Sequence, residues 1–265
     1  MTTTLSEYQL RRTGTRFGAE INGIDLKAPL SESVRESLVH DFREHKVLVF
    51  RGQHLSPDQQ VDAIRIFDEP FDHPTAVRHS ENPLVYPYDV KTTGKASTWH
   101  IGGLWRNPPF SIESLVFEEV SELGGNTLWA DLQAAYDDLS EPYKKLLEGV
   151  SAVYDSDARH YAQGAEKGKI ETTIEHPLVH LDRNGRKGLF ISSSALRLTG
   201  LPEPEGRSVL AFLLAHASSP QYTIRFGWSA GDFVLWNNLA TWHYAIDDYG
   251  TGPRRYRKVL AAEAS

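Results

Sequence analysis

The chain has 265 residues, 28 Lys+Arg against 35 Asp+Glu, a formal net charge of −7, and no cysteine. With 40% hydrophobic and 24% charged residues it has an ordinary globular composition, and its acidic balance argues against a general nucleic-acid polymer binder, which needs a dense basic face. Disulfides, thiolate metal sites and cysteine nucleophiles are excluded too, so any metal must be held by His and carboxylate ligands.

The amino terminus, Met1-Thr2-Thr3-Thr4, carries no basic-then-apolar leader, and no apolar run reaches membrane-spanning length. A single cytoplasmic domain over residues 1–265, with no membrane partner, is therefore expected; a homo-oligomer is compatible with it. Ser31 to His45 predicts an amphipathic helix with Val34, Leu38 and Phe42 on one face and a Ser33–Glu36 capping box. Val47-Leu48-Val49-Phe50 reads as a buried strand ended by Arg51-Gly52. Ser56-Pro57-Asp58-Gln59 opens a second helix with an N-cap, a proline in the first turn and a box partner. Asp131 to Gly149 and Glu205 to His216 are further helix candidates, and Asp155 to Glu171 reads as a polar lid. Strands are expected at Leu189 to Ser192, Tyr222 to Phe226 and Phe233 to Trp236. Early helices and late strands predict an α+β protein with a sandwich or barrel core.

Most of the eleven histidines have ordinary surface or core roles. Two stand in richer context: His100 in Thr98-Trp99-His100-Ile101-Gly102-Gly103-Leu104-Trp105, and His243 in Thr241-Trp242-His243-Tyr244. They are 143 residues apart (243 − 100), so only a fold that closes on itself could join them.

Together with Gly124-Gly125-Asn126-Thr127-Leu128-Trp129, the strings HPLVHLDRNGRKGLFIS, GDFVLWNN and TWHYAIDDY make the chain resemble the taurine/2,4-D dioxygenase family from about Leu10 to Ala262. These are Fe(II)- and 2-oxoglutarate-dependent oxygenases on a double-stranded β-helix (jelly-roll) core with flanking helices. The resemblance implies that His100 and His243 ligate iron, and that Thr127 and Arg254 hold the distal carboxylate of 2-oxoglutarate. A guanidinium fork suits a planar carboxylate. Where the family has a second arginine the chain has Lys258, a point charge that offers a further contact to the co-substrate.

One position departs from the family. The pattern at the first ligand is His-X-Asp, completing a two-His-one-carboxylate triad; here it reads His100-Ile101-Gly102, and no acid follows before Ile112. In the 2-oxoglutarate halogenases a small residue at this position leaves room for chloride. The resemblance thus implies radical halogenation that uses Fe(II), 2-oxoglutarate, chloride and O2. The alternatives are a hydroxylase, with Glu113 or Glu118 supplying the third ligand, and a non-catalytic ligand-binding relative in which Gly102-Gly103 is only a tight turn.

The family's early His-Pro corresponds to His73-Pro74, which implies a place for His73 in the substrate pocket. Lys95 and Arg106, with Arg78 and His79, are candidates for a basic rim, and Trp99 and Trp105 for a stacking surface, with Gly103 between them. A phosphate rim beside stacking rings, joined to His-X-Gly, resembles the carrier-independent nucleotide halogenases of chlorinated nucleoside antibiotic biosynthesis. That likeness implies a small anionic metabolite such as 2′-deoxyadenosine monophosphate as substrate.

Overall fold

A computed structural model describes residues 7–73, 76–93, 96–155, 173–182 and 185–262. The proposed lid lies almost wholly outside them, as do Pro74 and Lys95. A seven-stranded sheet runs in the order Gln9–Arg12, Ala19–Asn22, Val47–Phe50, Phe233–Asn237, Ile112–Val120, Arg254–Ala261 and Tyr86–Asp89. Its neighbours are antiparallel except Ala19–Asn22 with Val47–Phe50. A three-stranded sheet, Thr223–Phe226, Thr127–Asp131 and Thr241–Ala245, faces it. Strands therefore occur in both halves of the chain, unlike the expected early-helix, late-strand division. The first half hides them: Tyr86–Asp89 is four residues long and contains Pro87, which an edge strand tolerates because one side needs no ladder donor.

The period-two alternation of strands decides what each face meets. Leu48, Phe50, Phe233, Leu235, Ile112, Val116, Val259 and Ala261 point to one side of the large sheet. There they pack on Val34, Leu38 and Phe42 of helix Glu32–His45 and on Val61 and Ile64 of helix Pro57–Ile64. Val47, Val49, Val234, Trp236, Leu115 and Phe117 point the other way and close on Trp129, Ile224 and Phe226 of the small sheet. The second layer is the inside of the sandwich, and the site opens from it.

Local chemistry explains the helix ends. Helix Glu32–His45 is capped by Ser31, whose Oγ accepts from Val34 N at 3.4 Å, so the cap sits two residues before the expected Ser33–Glu36 box. The Ser56–Gln59 box forms as anticipated, with both reciprocal bonds present. The single helix expected over Asp131–Gly149 is two, Leu132–Asp137 and Glu141–Leu147. Pro142 has no N–H to donate to a preceding turn but is tolerated in the first turn of a helix, so a new helix starts after the N-cap residue Ser140. The strand expected at Leu189–Ser192 ends at Leu189.

One buried ion pair ties the layers together. Lys46, in a left-handed conformation at the end of the first helix, reaches Asp131 Oδ2 at 2.6 Å, with side chains only 3% and 1% exposed. Asp131 also caps helix Leu132–Asp137 through its other oxygen, accepting from Gln133 N and Ala134 N.

Candidate active site

His100 and His243 meet although they are far apart in sequence. The two residues form an isolated antiparallel bridge, each backbone N–H donating to the other's carbonyl at 3.0 Å. In such a pair both side chains leave on the same face, and the ring centroids stand 4.1 Å apart. His100 Nδ1 lies 2.7 Å from the carbonyl of Thr98. That oxygen can only accept, so Nδ1 carries the proton and Nε2 keeps its lone pair. His243 is buried between His100 and Trp236, 4.8 Å from the indole, and its Nδ1 has no hydrogen-bond partner. Burial lowers the basicity of both rings, helped at His243 by its His100, Lys258 and Arg254 neighbours. Two neutral imidazoles, one with an orphaned nitrogen, fit a divalent metal. Among the described residues no third His, Asp or Glu joins them in a metal-holding group.

Arg254, Tyr256 and Lys258 occupy alternate positions of strand Arg254–Ala261 and face the same layer. Arg254 Nη2 donates to Thr127 Oγ1 at 3.2 Å and its Nε to Gly125 O at 3.3 Å. The guanidinium lies 5.6 Å from the Phe117 ring and 5.4 Å from Tyr256. It is buried with no carboxylate in ion-pair range among the described residues. A buried guanidinium in that state calls for an anionic ligand. Trp228 Nε1 also donates to Thr127 Oγ1, at 3.0 Å. With two acceptor sites filled, the Thr127 O–H is left to donate outward.

The backbone at Gly102 is clamped: its N–H donates to Asn238 Oδ1 at 3.0 Å and its carbonyl accepts from Asn238 Nδ2 at 2.8 Å. A Cβ added at Gly102 would fall 1.5 Å from Glu113 Oε1, so the Glu113 carboxylate fills the space where a side chain at 102 would begin. The other Glu113 oxygen is 3.2 Å from Lys258 Nζ. Burial is the largest influence and works against the Lys258 ammonium, but Glu113, Tyr88 and Tyr256 together outweigh it and its pKa is raised. Lys258 thus directs its ammonium to Glu113. Glu118 turns to the other face, toward Arg257 at 3.4 Å and Arg255 at 3.8 Å.

Next to this centre is an aromatic box. His73 is buried with its ring 5.0 Å from Trp105, 5.8 Å from Tyr86 and 5.9 Å from Phe110. Burial first, then the Lys258 charge, pull its pKa down to about 4. Gly103 adopts a φ of +72°, and a Cβ there would strike Phe110 at 2.3 Å, so only glycine brings the loop this close to the ring. Arg106 lies over Phe71 at 4.3 Å and Phe110 at 5.2 Å, with Nη1 buried and unpartnered. Trp99 is stacked on the core residue Trp242, 5.1 Å away, so one of its faces is already covered. Arg78 points to Asp72 at 2.8 Å.

Sequence reasoning missed Trp228 and Asn238 as working parts. Neither residue type signals chemistry, and only the fold shows that one fixes the Thr127 hydroxyl and the other the Gly102 peptide.

The model of the family described as taurine catabolism dioxygenase TauD, TfdA family matches residues 8–261. An alkylsulfatase of Acinetobacter baylyi is 31% identical over 97% of this chain and 85% of its own length. An alpha-ketoglutarate-dependent sulfate ester dioxygenase of Pseudomonas putida is 32% identical over 97% of this chain and 90% of its own. Among solved structures, a taurine dioxygenase from Burkholderia xenovorans superposes with a TM-score of 0.84 at 27% identity, covering 97% of this chain and 90% of that one.

Proposed function

Because the chain belongs to the TauD/TfdA family of Fe(II)- and 2-oxoglutarate-dependent dioxygenases, we propose that it acts on an aliphatic C–H bond of a small anionic metabolite and delivers a halide to that carbon. The observation that carries this reading is Gly102. The residue two places after the first ligand offers no carboxylate, and the nearby Glu113 is engaged by Lys258.

In this reading His100 and His243 hold the metal through neutral imidazoles, with the Thr98 carbonyl fixing the His100 ring. Arg254 and the Thr127 hydroxyl bind the distal carboxylate of 2-oxoglutarate, while Trp228 holds the Thr127 oxygen in place. Bound there, Fe(II), 2-oxoglutarate and O2 supply hydrogen abstraction from the substrate carbon. The overall balance is substrate C–H, chloride, a proton, 2-oxoglutarate and O2 giving C–Cl, succinate, CO2 and water. The box of His73, Trp105 and Phe110 receives the substrate, and the Arg106 guanidinium meets its anionic group. A nucleoside monophosphate is our first candidate.

A second reading, insertion of oxygen into a sulfate ester or a similar anion, is favoured by the names of the relatives. On those relatives alone it is the better supported; the glycine is what places halogenation first. Anaerobic addition of 2-oxoglutarate to the Fe(II) protein should give a charge-transfer band whose position or affinity changes with chloride. Turnover with bromide, over panels of nucleotides and alkyl sulfates, should then yield a product with bromine's isotope pair. An oxygenated product at every halide concentration would overturn halogenation in favour of the second reading.

A further inference from the structure

Glu113 lies on strand Ile112–Val120, paired directly with Trp236 on one side and Leu260 on the other. Lys258 is two residues from Leu260 on the same face, the diagonal position within reach of a long side chain. The carboxylate is 1% exposed, and its two oxygens divide their tasks. One occupies the space beside Gly102, and the other meets Lys258 Nζ at 3.2 Å. Among the described residues Lys258 is its one ion-pair partner. An ionised carboxylate this deeply buried is costly without a cation beside it.

We propose that Lys258 is a positioning residue that decides which anion completes the metal site: its ammonium holds Glu113 off the metal, so the third anionic place goes to a halide from solution. The pair is neutral as a unit, and the two imidazoles bring no charge, so the protein leaves the divalent ion uncompensated on this side. Without Lys258, a divalent metal held by His100 and His243 would be a cation that Glu113 could turn to. The same fold would then supply its own carboxylate, from a neighbouring strand instead of from residue 102. This inference rests on the halide reading above.

Co(II), whose visible absorption reports coordination, is the probe, titrated anaerobically with 2-oxoglutarate and with or without chloride. Wild type should bind Co(II) more tightly as chloride rises. Lys258→Met should bind at least about tenfold more tightly than wild type in chloride-free buffer, and lose its chloride response. Lys258→Met/Glu113→Gln should return to weak, chloride-dependent binding, and Lys258→Arg should keep the wild-type spectrum. A purely structural role would lower the melting temperature of Lys258→Met and leave the spectrum alone. A Lys258→Met protein with wild-type affinity and an intact chloride response overturns this inference and leaves the halide reading standing. If wild type ignores chloride and Glu113→Gln loses Co(II), Glu113 is already the ligand and both fall. Should Lys258→Met not fold, Glu113→Gln alone decides: chloride-free affinity within about twofold of wild type supports the inference, and a larger loss refutes it.

Discussion

Restoring the family's aspartate by Gly102→Asp meets an obstacle that the sequence does not show. The new Cβ would lie 1.5 Å from Glu113 Oε1 and 2.5 Å from its Cδ, so the carboxylate must retreat by about 2 Å to reach an ordinary 3.4 Å contact. Crowding of this kind in a packed interior costs about 1–3 kcal/mol. A second carboxylate about 4 Å from the first adds about 4 kcal/mol at an effective dielectric of about 20, partly offset by Lys258. The single variant should therefore lose roughly 4–6 kcal/mol in metal-free protein, a melting shift of about 10–20 °C for a chain of this size. Removing the obstacle should recover most of it, so a double-mutant cycle with Glu113→Ala should show coupling of at least about 2 kcal/mol. Urea unfolding in chelator-treated buffer reads all four proteins. The double variant, and not the single one, should then bind Fe(II) without chloride. A Gly102→Asp protein within about 0.5 kcal/mol of wild type, additive with Glu113→Ala, would refute the packing at this corner.

Thr127→Val should raise the Kd for 2-oxoglutarate about 10- to 100-fold while Co(II) affinity holds, because a hydrogen bond to a charged group is worth about 1.5–3 kcal/mol; calorimetry checks both. Arg254→Lys should weaken 2-oxoglutarate at least about tenfold, since an ammonium lacks the fork that reaches Thr127 and a carboxylate together. Its failure to do so would place the co-substrate elsewhere. His73 titrates at about 4 in the folded protein, against the ordinary histidine value of 6.5 once unfolded. Between those values the unfolded chain binds more protons, so stability falls as pH drops from 6.5 to 4, by about 3 kcal/mol at most. His73→Phe should flatten that part of the stability profile, and parallel curves for the two proteins would contradict it. Lys46→Met strands the Asp131 charge in the core and should cost about 3–5 kcal/mol in urea unfolding.

How far the sequence announced this molecule depended on the range of each interaction. Helix Glu32–His45 and strand Val47–Phe50 were legible because their apolar periods and turns are local. The break at Pro142 was legible in principle, since a proline one residue after an acceptable N-cap neighbour is a start signal. The meeting of His100 with His243, and of Thr127 with Arg254, had no local signature at all. Family likeness pointed to those residues; an antiparallel bridge joins the two histidines, and Thr127 and Arg254 meet across the two facing sheets. Glu113 was within view as an acid near the missing aspartate. Its approach to Gly102 depends on the strand register that also sets Lys258 beside it, and register is a property of two distant segments.

The ladder between Ile112–Val120 and Arg254–Ala261 shifts between Arg255 and Tyr256, where Glu118 is the unmatched residue. Such an extra residue flips the parity of everything beyond it. Phe117 and Val120, three apart, both line the inner layer, and Glu118 is expelled toward the arginines outside. The defect therefore splits the strand pair into two independently set halves. One half carries the Glu113–Lys258 corner, and the other orients the wall around Arg254. Excising Glu118 would rotate only the second, re-aiming residues 119 and 120 while the register of the Glu113–Lys258 corner stays as it is.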